Sequence, residues 1–150
     1  MIAQTVEYAL RAVIHLAYRA PGAQTTEQLA TATLVPKAYL SKVLQGLVAQ
    51  GIVSSRRGVG GGMTLAKLPE ELSILDIVNA VDPLQRIHTC PLGFTEHGSK
   101  LCPLHQRLDN ALAQVEEAFG STNLAEVLAD LEGSVPLCEV RETLTKLDPH

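Results

Sequence analysis

Two cysteines and a histidine near the middle of the chain form a loose metal-binding pattern. Eleven residues separate Cys90 from Cys102, and two residues separate Cys102 from His105. Soft thiolates combined with an imidazole suit zinc or an iron-sulfur cluster. Pro103 begins a helical pattern, so we expect Cys102 at a helix N-terminus, where free amide groups and the helix dipole favour negative charge. A lone cysteine is more often a small buried apolar residue, but a cluster of three such residues favours a site.

The number of cysteines argues against a disulfide framework. The chain has three cysteines, the third being Cys138 in a tail predicted to be irregular. We find no run apolar enough to span a bilayer and no pattern of a signal peptide, so we place the protein in the cytoplasm. In that reducing compartment, cysteines are more often metal ligands, reactive thiols or buried apolar groups.

The elements that must position these residues begin with a winged helix-turn-helix. Residues 36–50 carry one apolar stripe on a helical period, and Pro36 and Gly51 suit a first helical position and a left-handed stop. The stripe consists of Leu40, Val43, Leu44, Leu47 and Val48. Residues 52–55 and 63–66 then read as two short strands joined by a basic, glycine-rich tip.

Helical patterns also precede and follow this unit. A first helix is predicted at residues 4–19, and capping pairs open helices at Thr25, Ser73 and Asn123. A long helix after the cysteines carries an apolar stripe close to a heptad seam, consisting of Leu104, Leu108, Ala111, Leu112, Val115 and Phe119. Such a seam packs either on the winged domain or on a second copy, and we favour the dimer.

The predicted fold is therefore mainly α with a small β-hairpin wing. We assign residues 1–82 to a winged helix-turn-helix domain, 83–103 to a cysteine-containing sensor loop, 104–133 to dimerisation helices and 134–150 to an irregular tail. A loop as long as residues 83–103 is more often functional than a plain connection.

Charge is unevenly divided along the chain. The whole protein has a net charge of −4, but residues 1–66 hold six basic and two acidic residues, whereas residues 67–150 hold six basic and fourteen acidic residues. The first part therefore carries +4 and the remainder −8. This asymmetry indicates that the winged half faces phosphate, although surface charges also fall unevenly by chance.

Double-stranded DNA is accordingly the predicted partner of the winged half. In such motifs the second helix enters the major groove and the wing reaches the backbone or the minor groove. The candidate groove contacts are Lys37, Tyr39, Ser41 and Lys42, and the candidate wing contacts are Arg56 and Arg57. Each assignment has an alternative. Tyr39 lies beside the apolar stripe and fits a residue at the edge of the core equally well. The two arginines could simply be solvated at the tip of the hairpin.

Two other classes of function remain as alternatives. An enzyme is disfavoured, because the glycine cluster lies on a hairpin and cannot form a nucleotide cradle, and because no paired carboxylates or Ser/His/Asp constellation is present. A protein-interaction adaptor with a winged fold remains open. Steep salt dependence of DNA affinity separates a regulator from an adaptor.

The ordered motifs resemble the winged-helix repressors that include the iron-sulfur biogenesis regulator IscR and the nitric-oxide sensor NsrR. The similar positions are Glu7 to Ala12, Tyr39-Leu40, Val43-Leu44, Leu47, Gly51 to Val53, Ser55, Arg57-Gly58, Gly60 to Gly62 and Leu65-Ala66. The resemblance extends from residue 1 to about residue 130. It implies a homodimer on a pseudo-palindromic operator, controlled by an iron-sulfur cluster or another small signal.

The resemblance also implies a ligand set. Cluster-binding members carry three evenly spaced cysteines here, and Cys90 and Cys102 match the outer two, but Glu96 occupies the middle position. Some members add a histidine where His105 stands, and others an acidic residue of the partner subunit's first helix, which Glu7 matches.

The resemblance therefore favours a 2Fe-2S cluster that senses redox state or nitric oxide, held by Cys90 and Cys102 with His105 and Glu7. Glu96 and His97 are reserve ligands, and Arg11 stands where one known arrangement has a further histidine. A zinc or bare-thiol sensor at the same loop is the alternative.

Overall fold

The computed structural model describes residues 2–94 and 100–130. Within them α1 covers Gln4–Arg19, α2 Thr26–Thr33, α3 Lys37–Ala49, α4 Ile74–Val81, α5 Pro103–Gly120 and α6 Leu124–Ala129, and the antiparallel strands are β1, Val53–Arg56, and β2, Gly62–Leu65. A 3₁₀ turn lies at Pro69–Glu71. This is the predicted mainly helical fold with one hairpin. Glu96, His97, Cys138 and the predicted tail lie outside the described residues.

The first helix forms the centre of the hydrophobic core. Its apolar residues recur every three or four positions, so Ala9, Ala12, Val13 and Leu16 share one face and are almost completely buried. This face packs against α2, α3 and α4. The small alanines allow close approach of the neighbouring helices, and the predicted bounds of α1 agree with the structure.

The helix-turn-helix consists of α2 and α3. Thr25 and Gln28 form the predicted capping box at the start of α2, and Leu34 ends that helix in the left-handed region with φ of 56°. The buried face of α3 holds Leu40, Val43, Leu44 and Leu47. Two predictions about α3 were wrong in detail. Val48 is 37% exposed because it falls at the edge of the stripe, and Pro36 is the N-cap rather than the first helical residue.

The wing is joined to the loop between α1 and α2 by backbone hydrogen bonds. In the hairpin Val53 pairs with Leu65 and Arg56 with Gly62, so both strands are displaced by one residue from the prediction. On its other side, Met63 exchanges backbone hydrogen bonds of 2.7 and 3.0 Å with Gln24, in the loop between α1 and α2. A Cβ at Gly62, whose φ is 138°, would meet the Gln24 carbonyl oxygen at 2.7 Å. Glycine is therefore required where the loop approaches the wing.

The last helices return to the winged domain. Ser73 and Asn123 cap α4 and α6 with the predicted boxes and also form an antiparallel bridge. Leu124 is thereby buried in the core. Much of the apolar stripe of α5, by contrast, is exposed in the single chain, including Leu104, Leu108 and Val115. Among the described residues, every helix is too short or too polar to cross a membrane.

The contact between Gly62 and Gln24 predicts different costs for two alanine substitutions. Gly60→Ala places a side chain in open space at a positive φ and should lower the free energy of unfolding by about 1 to 2 kcal/mol. Gly62→Ala should lower it more, because the new Cβ also collides with the Gln24 backbone. Urea unfolding of both variants measures the difference. Equal losses would show that the loop contact does not constrain Gly62.

Candidate functional site

The exposed side of α3 carries the predicted groove contacts. Lys37 and Lys42 are exposed and Ser41 is half-buried, whereas the opposite face fills the core. Lys37 is not free, because its Nζ lies 2.7 Å from a carboxylate oxygen of Glu27 in α2. The hydrogen bond from Lys37 lowers the pKa of Glu27. The helix-turn-helix thus presents a partly neutralised cation at the start of α3.

Tyr39 is 63% exposed and contacts the first helix at its side. Its ring centroid lies 6.4 Å from that of Tyr8. The guanidinium of Arg11 lies 5.9 Å from the Tyr8 ring centroid. It donates hydrogen bonds to the Glu7 carboxylate at 3.0 Å and to the carbonyl of Thr33 at 3.3 Å. Arg11 therefore joins the start of α1 to the turn before α3.

The wing tip presents two cations and one apolar side chain. Arg56 and Arg57 are exposed, and neither side chain forms an ion pair or hydrogen bond with the described part of the chain. Between the arginines and the last glycines, Val59 is fully exposed. Charged side chains without intramolecular partners remain available to phosphate.

Cys102 and His105 are brought together at the start of α5. Cys102 is the N-cap residue, Pro103 occupies the first turn, and the Cys102 Sγ lies 3.2 Å from the His105 Nδ1. The Cys102 side chain makes no capping hydrogen bond. His105 is the third residue of the helix, and side chains three positions apart on a helix are close enough to touch. A thiol and an imidazole in contact can share a proton or bind the same metal.

The segment leading to Cys90 is fixed to α5 by a buried carboxylate. Asp109 accepts two hydrogen bonds from Arg86, at 2.7 and 2.9 Å, and one from the Ile87 backbone N–H at 2.9 Å. These hydrogen bonds, first from Arg86 and then from Ile87, lower the pKa of Asp109 to about 2. Cys90, half-buried, follows three residues after Ile87. Asp109 thus keeps the loop start beside α5.

The described residues of one chain do not assemble the whole predicted ligand set. They contain no group of three or more histidine, cysteine or acidic residues that could hold a metal ion. Cys90 and Cys102 are both free thiols. Glu7 lies on α1 and is bound to Arg11 rather than to the Cys102 and His105 pair.

Comparison with known proteins identifies the family. The family model described as Rrf2, iron-dependent transcriptional regulator, matches residues 2–130. The chain belongs to the Rrf2 family. The resemblance to winged-helix regulators stated from the sequence is therefore confirmed, and Rrf2 proteins are DNA-binding transcriptional regulators rather than enzymes.

Individual Rrf2 relatives agree with this assignment. A Mycobacterium tuberculosis protein described as a candidate HTH-type transcriptional regulator is 32% identical over 123 residues, covering 81% of this chain and 76% of its own. An Aquifex aeolicus protein of the same description is 28% identical over 131 residues, covering 85% of this chain and 91% of its own.

Solved structures show the same fold. IscR of T. potens has a TM-score of 0.73 at 22% identity and covers 88% of both chains. CymR, the global cysteine regulator of B. subtilis, has a TM-score of 0.71 at 21% identity, covering 86% of this chain and 96% of its own. At these identities the likeness supports the fold alone. Rrf2 membership therefore leaves open which signal this chain senses.

Several residues of these sites carried no recognised sequence signal. Arg86 and Asp109 lie 23 positions apart, so no local rule links them. The ion pair between Glu7 and Arg11, by contrast, could have been predicted, because residues four positions apart on a helix are neighbours. The exposed Val59 was not predicted, because the sequence analysis of the glycine-rich tip considered only its charge.

The Arg86 contact predicts an unusual titration of Asp109. Its carboxyl should titrate near pH 2 in the folded protein, and Arg86→Gln should move the midpoint toward the ordinary value of 3.8. Because the folded-state pKa is depressed, the pair's contribution to stability is complete above about pH 4 and is lost as pH falls toward 2. Carboxyl-detected NMR measures the midpoint, with Arg107→Gln as control. An unchanged midpoint in Arg86→Gln would exclude Arg86 as the cause.

Proposed function

We propose that this protein is a homodimeric, DNA-binding transcriptional repressor whose operator affinity is controlled by a redox- or nitric-oxide-sensitive 2Fe-2S cluster. The observation that carries the proposal is the contact between the Cys102 Sγ and the His105 Nδ1 at the start of the long α5 helix. Soft sulfur and imidazole donors stand there, and the segment before Cys90 is hydrogen-bonded to Asp109 of the same helix. In the proposed division of the chain, residues 1–82 bind DNA, 83–103 form the sensor loop, 104–133 form the dimerisation helices and 134–150 form the tail.

The proposed DNA interface combines α3 with the wing tip. Lys37, Tyr39, Ser41 and Lys42 are the proposed groove contacts, and Arg56 and Arg57 the proposed phosphate contacts. Support comes from the exposure of the two wing arginines and their lack of partners among the described residues. The +4 charge of residues 1–66 supplies the long-range attraction to DNA.

The proposed dimer is formed by α5. Three large apolar residues of its stripe, Leu104, Leu108 and Val115, are exposed in the single chain. They lie four and seven residues apart, as positions of one heptad seam do, and this spacing suits pairing with a second helix. Exposure of this face disfavours the alternative in which α5 packs its stripe on its own winged domain. A two-fold dimer presents two α3 helices to successive major grooves about 34 to 36 Å apart.

The donor set fits a cluster only when two chains contribute. One chain offers Cys90, Cys102 and His105, and the partner's Glu7 completes four ligands in the proposed arrangement. The Glu7 carboxylate is half-exposed on α1, so it is accessible to a neighbouring chain. A cluster with fewer than four thiolates supplies a higher reduction potential and an iron with harder ligands.

Arg11 offers a path from this site to the DNA-binding helix. The same guanidinium holds Glu7 and donates to the Thr33 carbonyl at the end of α2. It also lies against Tyr8, which packs on Tyr39 of α3. A change in the environment of Glu7 therefore alters the charge balance at Arg11, and with it the contact that orients the start of α3.

A thiol sensor without a cluster is the second candidate. The 3.2 Å contact between Cys102 and His105 favours it as well, because an imidazole can accept the thiol proton and leave a reactive thiolate. In that case the protein is colourless, and oxidation of Cys102 or zinc binding at the same residues replaces the cluster as the signal.

The cluster predicts a coloured protein with countable iron and sulfide. Protein purified without oxygen should show visible absorption bands and contain about two iron and two sulfide ions per cluster. Cys102→Ala should lose both, whereas Cys138→Ala should retain them. A colourless, iron-free sample that still binds DNA would overturn the cluster and leave the thiol or zinc sensor.

The proposed interface predicts the salt dependence of DNA binding. Replacing both Arg56 and Arg57 by Gln should weaken binding to duplex DNA and lower the slope of log affinity against log salt by about one unit per lost phosphate contact. Fluorescence anisotropy at several salt concentrations measures the slope. Arg107→Gln, which removes an exposed cation of α5, is the matched control. An unchanged slope in the double variant would favour the protein-interaction adaptor.

A further inference from the structure

A surface pocket of about 400 Å³ lies between α1 and α2, and the proposed function does not use it. It is lined by His15 and Arg19 of α1, by Gln24 of the connecting loop, and by Glu27, Gln28, Thr31 and Ala32 of α2. The sequence places these residues together because four positions separate His15 from Arg19 on one helix face, as they separate Glu27 from Thr31 on the other. The pocket is therefore built by the two helices themselves.

His15 is a polar residue in an otherwise apolar position. It is 9% exposed, and its Nε2 is buried without a hydrogen-bond partner. Burial, followed by the charge of Arg19, lowers the pKa of His15, while the Gln24 side chain partly opposes the shift. Both effects favour the neutral imidazole, which carries a hydrogen on one of its two nitrogens. An unpaired buried nitrogen is costly, so a ligand that supplies a partner gains affinity.

The charges around the pocket select the sign of a ligand. The Arg19 side chain is exposed, and its guanidinium forms no ion pair or hydrogen bond within residues 2–94 and 100–130. Glu27, by contrast, is already bound to Lys37 at 2.7 Å. The Arg19 guanidinium and the His15 Nε2 are thus two groups of the pocket without a partner in the described part of the chain. A carboxylate matches both, because its two oxygens accept hydrogen bonds from separate donors.

We propose that this pocket binds a small organic molecule carrying a carboxylate, which pairs with Arg19 and accepts a hydrogen bond from His15. The Ala32 side chain and the methyl group of Thr31 provide apolar contact for a short hydrocarbon chain.

The walls of the pocket belong to elements that position the proposed DNA contacts. Glu27 holds Lys37 at the start of α3, and the Gln24 backbone pairs with Met63 in the wing. A ligand that shifts either wall therefore changes the position of α3 relative to the wing. This regulatory consequence rests on the proposed DNA-binding function, whereas binding of the carboxylate does not.

A binding experiment tests the site directly. The full-length protein, with isotope-labelled histidine side chains, is titrated with propionate and observed by NMR. We expect saturable shifts of the His15 imidazole signals, with a Kd of about 1 mM for so small a ligand, while the exposed His88 stays unchanged. Propionamide has the same shape without the charge and should bind at least about tenfold more weakly.

Substitutions at the surface separate binding from folding. Arg19→Gln removes an exposed cation and should weaken propionate at least about tenfold without unfolding the protein. Arg107→Gln is the matched control and should leave propionate binding unchanged. No saturable His15 shift, equal binding of propionate and propionamide, or unchanged affinity in Arg19→Gln would each overturn the site.

The effect on DNA is measured afterwards by repeating the anisotropy titration with saturating propionate. A changed affinity in the wild type but not in Arg19→Gln supports coupling to the wing and α3. Propionate binding in a protein that does not bind DNA leaves the carboxylate site standing and overturns the proposed function. DNA binding that ignores propionate overturns only the coupling.

Discussion

The rest of the structure depends on the burial of one face of α1. Ala9, Ala12, Val13 and Leu16 are almost without exposure, and the helix contacts α2, α3, α4, α6 and β2. Because interiors are close-packed, a change in the position of α1 must be transmitted to all of these neighbours. The other side of the same helix carries polar residues every four positions, at Glu7, Arg11, His15 and Arg19. One rigid element therefore joins the proposed cluster ligand, the turn before α3 and the pocket.

Local signals explain why so much of the fold was predicted from the sequence. The capping boxes at Thr25, Ser73 and Asn123 formed as expected, because each needs only two residues three positions apart. The apolar period fixed the bounds of α1, and the wing followed from two short strands around a glycine cluster. Val48 was wrongly assigned to the buried stripe, since the edge of a stripe depends on what packs beside it, and Pro36 was placed one position too far into the helix.

Long-range contacts explain what the sequence left out. The backbone bridge between Gln24 and Met63 joins residues 39 positions apart and involves no side chains, so no sequence motif predicts it. Leu34 adopts a left-handed conformation that its residue type disfavours, because the turn between α2 and α3 requires it. The candidate sensor site was predicted from residue types, their spacing and the family resemblance, and it stays a prediction. Its weak point in the sequence, Glu96 at the middle position, lies outside the described residues.

The dimer and the shared ligand are best understood as one proposal rather than two. His105 lies between Leu104 and Leu108 at the start of α5, and both leucines are exposed. A second chain that covers these leucines necessarily comes close to the Cys102 and His105 pair, because all lie within two turns of one helix. The single chain provides too few grouped ligands for a metal within its described part. The exposed apolar surface that calls for a partner helix is thus also the surface at which the proposed site lacks ligands. One dimer contact therefore meets both needs, so we favour a carboxylate from the partner subunit over a further residue of the same loop as the remaining ligand.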